Sequence, residues 1–102
     1  MRQSLRTDLQ MVARIGAVLT YDQLAQAQGI TGPGRIRRVA ALLEALMEED
    51  HRAGRPFLAS VIVSKATGQP ARGFFEKAAH LTGQPFGAAE RAQHLERLKN
   101  RP

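Results

Sequence analysis

The chain contains no cysteine and no tryptophan in its 102 residues. Without thiols, disulfides, cysteine-ligated zinc, iron–sulfur clusters and thiol nucleophiles are all excluded. Aromatic side chains are few: Tyr21, Phe57, Phe74, Phe75 and Phe86. The core must therefore rest mainly on Leu, Ile, Val and Ala. No stretch approaches the roughly 20 apolar residues that cross a bilayer. The opening stretch MRQSLRTDLQMVARIG is charged throughout and lacks the apolar centre of a secretory signal. A soluble cytoplasmic protein is expected, associated with the nucleoid if it binds DNA.

What is present is a folding composition, 43% hydrophobic and 24% charged, with a marked basic excess. Fifteen Lys and Arg stand against nine Asp and Glu, for a net charge of +6. In so small a chain that balance favours polyanionic partners.

Periodicity predicts a first helix over about residues 4–15, with Leu5, Leu9, Val12 and Ile15 on one stripe and Gly16 as its stop. The run AVLT suits a short strand. Thr20 and Gln23 have capping-box spacing, so a second helix starts there, and Gly29 suits a left-handed C-terminal residue. The turn GITGPG leads into the longest helix, over about 33–51, with Pro33 in its first position. Ile36, Val39, Ala40, Leu43, Leu46 and Met47 mark its core face. Arg37, Arg38, Glu44, Glu48 and Glu49 fall on the other, with Arg35 at the edge. FLASVIVS predicts a strand over 57–64, KATGQPAR a basic-ended tip, and FFEKAAHL a helix from about Phe74. A last helix is expected near 87–99.

This order predicts a mainly α protein with a small β hairpin (α+β), arranged as a winged helix-turn-helix. One domain would span 1–102, with 84–102 a C-terminal helical extension. Ala25 and Gly29 have the spacing that lets two helices cross closely at such a turn.

The long helix carries its charges in the reverse of the order that its dipole favours. Arginines crowd its first turns and acids its last, at about 0.3–1 kcal/mol per misplaced charge. An external anion accounts for the arginines, because the N-terminal end of a recognition helix faces bases and phosphates. The candidate nucleic-acid-binding residues are therefore Tyr21, Thr31, Arg35, Arg37 and Arg38, with Lys65 and Arg72 flanking the tip as a wing. The alternative is a solvated charged face and an ordinary surface hairpin.

The segments TYDQLAQAQG, RRV and VIVSKATGQPARGF, within residues 20–75, resemble the DNA-binding C-terminal domain of the O6-alkylguanine-DNA alkyltransferases and alkyltransferase-like proteins. Those domains carry Thr-Tyr-x-x-Leu-Ala, Arg-x-Val and a wing of the form Val-Val-x-x-x-Gly. The resemblance implies that Arg37 enters the base stack while a nucleotide is flipped out, and that Tyr21 helps to rotate its phosphate. The family's Pro-Cys-His-Arg segment is replaced by GRPFLASVIV, so alkyl transfer is excluded.

No enzyme, cofactor or metal is expected. MEEDHRAGR concentrates Glu48, Glu49, Asp50 and His51, but consecutive helical residues diverge, and a solvated helix end is the expected reading. His51, His80 and His94 lack metal-ligand spacing. Besides double-stranded DNA, structured RNA or an acidic protein would suit the arginines. The apolar stripe of AAERAQHLERLKN would suit a partner helix or a second copy, as in a homodimer.

Overall fold

The computed structural model describes residues 2–100. Helix α1 (Arg2–Arg14) is followed by strand β1 (Leu19–Thr20), helix α2 (Tyr21–Ala27) and the long helix α3 (Arg35–Arg52). A 3-10 turn (Leu58–Val61), strand β2 (Ile62–Val63), helix α4 (Arg72–Thr82) and helix α5 (Ala88–Lys99) complete the chain. The protein is mainly helical with a small sheet of two strands.

The expected hairpin does not form. β2 pairs in parallel with β1, Leu19 opposite Ile62 and Thr20 opposite Val63. The cause lies on both sides of β2. Before it, the Leu58 amide donates to Asp50 Oδ2 at 3.1 Å and the Ser60 amide to the Phe57 carbonyl, which winds 58–61 into a 3-10 turn. After it, loop 64–71 closes on itself: the Ser64 amide donates to the Gln69 carbonyl and the Gly68 amide to Ser64, both at 2.8 Å. Pro70, which has no amide to offer a ladder, is followed almost at once by α4.

Helix α2 starts as its sequence dictates. Thr20 Oγ1 accepts from the Gln23 amide at 3.1 Å, and Gln23 Oε1 accepts from the Thr20 amide at 2.9 Å. Gly29 takes φ +70° beyond its end, and Ala25 is buried where α2 packs on α3. Helix α3 begins two residues later than expected. Gly34, at φ +76°, is its N-cap, so Pro33 stays in the turn.

The core joins Leu5 and Leu9 of α1, Leu24 of α2, Val39, Leu43 and Met47 of α3, the 57–62 run, Phe74 and Ala78 of α4, and Leu98 of α5. Of the expected core residues, Ala40 is half-buried outside the cluster and two more are exposed. Ile15 follows the end of α1 and is 71% exposed, and Ile36 is 41% exposed in the first turn of α3. In both, the apolar period continues past the point where the neighbouring element has diverged. Within the expected extension 84–102, whose last two residues lie outside the described ones, Leu98 is buried and Leu95 packs against the core. The apolar stripe of α5 thus faces its own protein, against α1 and the 3-10 turn.

The acids late in α3 also differ from expectation. Asp50 is fully buried, not solvated, and accepts from Arg6 Nη1 at 2.8 Å, Arg55 Nε at 3.3 Å and the Leu58 amide. Glu49 pairs with Arg6 at 3.0 Å and Glu48 with Lys77 of α4 at 2.6 Å. The Lys77 ammonium holds the Glu48 carboxyl below the usual carboxylate range. Tertiary partners thus offset the unfavourable dipole at this end of the helix.

Candidate nucleic-acid interface

Every residue from 31 to 38 is exposed, an unbroken run through the turn and the first turn of α3. Glycines make the approach: Gly32 at φ +83° and Gly34 at φ +76° bend the chain without side chains at its outermost point. Gly34 supplies no side-chain cap; the Arg35 amide donates to the Gly32 carbonyl at 3.3 Å, and the Ile36 and Arg37 amides are left for an outside acceptor.

The three arginines there have different surroundings. Arg35 Nε reaches back to Asp22 Oδ1 of α2 at 2.9 Å, in an exposed pair. Arg38 donates from Nη2 to the Thr31 carbonyl, bracing the turn against the helix. Arg37 and Arg38 form no ion pair with any described residue. Thr31 contributes its backbone oxygen to this brace and is itself exposed.

Loop 64–71 is brought to the same region by Tyr21. The Ala71 amide donates to Tyr21 Oη at 2.9 Å, joining the end of the loop to the start of α2. Burial pushes the Tyr21 hydroxyl above its ordinary range, against the lowering effect of the Ala71 amide and of Arg91. Lys65 is exposed on the loop and forms no ion pair with a described residue. Arg72, in the first turn of α4, pairs with Glu76 one turn on at 2.9 Å and remains largely exposed.

A cavity of about 220 Å³ lies between α3, the two ends of the loop and α4. Ile36, Leu43, Ala59 and Phe74 give it apolar walls, with Tyr21 and Glu44 also lining it. Ile36 at the start of α3 and Ser64 and Ala71 at the loop ends line this one space, which Arg37, Arg38 and Lys65 do not line.

Arg91 supports the loop from behind and has no sequence signal of its own. Buried in α5, it donates from Nε to the Ser60 carbonyl at 2.9 Å and from Nη1 to Gln69 Oε1 at 3.3 Å. No described carboxylate pairs with it, and burial lowers its pKa from the ordinary arginine value. Helical periodicity places position 91 on α5 but says nothing of the carbonyl it meets 31 residues earlier.

Among the described residues no three His, Asp or Glu side chains come together as a metal site, and no helix is long and apolar enough to cross a membrane. No protein-family model, curated protein or solved structure matches this chain.

Proposed function

We propose that this protein binds double-stranded DNA, as a small regulator or accessory factor of phage or mobile-element type. It would place the start of α3 in a major groove and loop 64–71 against the backbone, in the manner of a winged helix. One observation carries the reading. Arg37 and Arg38 stand exposed, without a carboxylate partner among the described residues, at a helix start that has no side-chain cap. Arg6, Arg35, Arg55 and Arg72 each pair with a carboxylate, whereas Arg37 and Arg38, like Arg14, Arg52 and Arg97 elsewhere on the surface, form no ion pair with a described residue. Arg37 and Arg38 would meet phosphates and base edges, with the free amides of α3 adding to the attraction.

Titration of labelled duplex DNA, single-stranded DNA and RNA over a range of salt tests the reading. A duplex preference with a steep log–log salt dependence supports it. Tighter binding of structured RNA replaces it, and absence of binding at low salt ends it.

The cavity beside Tyr21 favours a second reading, in which a base leaves the stack and enters between Ile36 and Phe74 while Arg37 fills its place. The resemblance to the alkyltransferases implies the flipping and the part played by Arg37, and the cavity is what this reading adds. A duplex carrying 2-aminopurine would then brighten on binding, and constant fluorescence on saturation would leave only groove binding.

A further inference from the structure

A second cavity, of about 120 Å³, lies where α1, the C-terminal end of α3 and the end of α5 meet. Arg35 and Arg52, the ends of α3, are about 26 Å apart at 1.5 Å per residue, and Arg55 lies beyond the second of them. This space is therefore remote from the basic turn. Arg6, Arg14 and Arg55 line it together with Gln10 and the buried Asp50.

The donors and acceptors there do not balance. Both Asp50 oxygens are engaged, Oδ1 by Arg6 and Arg55 and Oδ2 by the Leu58 amide. Arg6 divides its two terminal nitrogens between Asp50 and Glu49. Arg55 bonds through Nε alone, leaving both its terminal amino groups without a partner among the described residues. Arg14 is exposed and bonds to none of them. Three guanidinium groups thus face one carboxylate in the lining, and Glu49 outside it does not restore neutrality.

We propose that this cavity is a binding site for the phosphate group of a small molecule. The free ends of Arg14 and Arg55 offer paired N–H donors of the geometry that grips phosphate oxygens. Arg6, held in place by Glu49 and Asp50, adds fixed positive charge, and Gln10 adds an amide. Asp50 would repel an anion placed alone beside it, but its three donors already neutralise it and orient two of the arginines. The volume is several times what one water needs, and Leu58 and Leu98 provide an apolar wall for a carbon group esterified to the phosphate. The proposal uses no residue of the candidate DNA interface and stands or falls separately from it.

The test is a titration of the full chain with inorganic phosphate at constant ionic strength, in parallel with methyl phosphate and with sodium chloride. It is followed by NMR through the Nε–H signals of the arginines. The expected result is a saturable shift of the Arg14 and Arg55 signals with both phosphates, absent with chloride. Arg14→Gln, which removes no hydrogen bond or ion pair with a described residue and so keeps the fold, should weaken binding by roughly tenfold. Arg55→Gln should do the same, while Arg37→Ala should change nothing. Tighter binding of methyl phosphate identifies the ligand as a monoester, and tighter binding of inorganic phosphate identifies the free ion. A linear, chloride-like response, or an Arg14→Gln protein that binds as before, overturns the proposal.

Discussion

The hydroxyl of Tyr21 and the amide of Ala71, fifty residues apart in the chain, are joined by a hydrogen bond of 2.9 Å. Tyr21 is the first residue of α2, and Ala71 is the last before α4. A single bond therefore fixes the end of loop 64–71 to the helix pair that presents the arginines. A tyrosine hydroxyl is neutral through the physiological range, and burial raises its pKa further. Tyr21→Phe keeps the packing of the ring and removes only this bond. A loss of about 1 kcal/mol in stability is expected, together with faster hydrogen exchange at the Ala71 amide. Exchange at Ala71 unaltered in Tyr21→Phe would show that the loop is held by its own internal bonds.

The exposed cations separate by role if the DNA reading is right. Arg37→Ala should cost about 1–3 kcal/mol at a preferred site and much less on unrelated duplexes. Lys65→Ala should weaken binding to all duplexes alike and lower the salt slope by about one. Gel-shift or anisotropy titrations of both variants at three salt concentrations read the difference. Equal small losses on every duplex from both would make this a shape binder that does not read bases.

Much of this was legible locally, because local chemistry decides it. The bonds between Thr20 and Gln23 are set by spacing alone, and the glycine at position 29 and the spacing of Ala25 define the turn after α2. The exposure of Arg37 and Arg38 likewise follows from their place on the helical wheel. What was not legible depends on distant partners. The run 57–64 is apolar and β-branched, a pattern that suits a strand. Which part becomes a 3-10 turn is decided by Asp50 capturing the Leu58 amide and by β1 offering an edge only to Ile62 and Val63. Asp50 itself reads as one more acid in MEEDHRAGR until Arg6, 44 residues earlier, is placed against it. Ile36 illustrates the opposite failure, since its periodicity is sound but the first turn of the helix lies ahead of the point where it enters the core at Val39.

Asp50→Asn tests how far that carboxylate organises the fold. The amide would keep one acceptor oxygen and present donors to Arg6, Arg55 or the Leu58 amide, all of which are donors themselves. Loss of one member of a buried ionic cluster is expected to lower unfolding free energy by about 2–4 kcal/mol. Denaturant melts measure this, and amide exchange at Leu58 should rise in step. A near-neutral effect would mean that the arginines turn to solvent at little cost and that the 3-10 turn is held by its apolar contacts alone.

His94 makes stability depend on pH in a direction that its geometry fixes. Its Nδ1 accepts from the Phe57 amide at 2.9 Å, and its ring stacks on Phe57 at 5.0 Å and meets Phe86 edge-on at 5.1 Å. Burial first, then the Arg97 charge, push its pKa below the ordinary 6.5, with Asp50 opposing them weakly. On acidification the unfolded chain therefore takes up the proton before the folded one does. Stability should be level above about pH 7.5 and fall as the pH drops through the unfolded value, by at most about 1.4 kcal/mol per pH unit. The fall ends once the folded histidine is itself protonated, which deprives the Phe57 amide of its acceptor. Urea midpoints of the native chain and of His94→Gln, taken between about pH 8 and pH 5, isolate this contribution from the carboxylates, which titrate lower. Parallel pH profiles for the two proteins would show that His94 is not the group that senses acid.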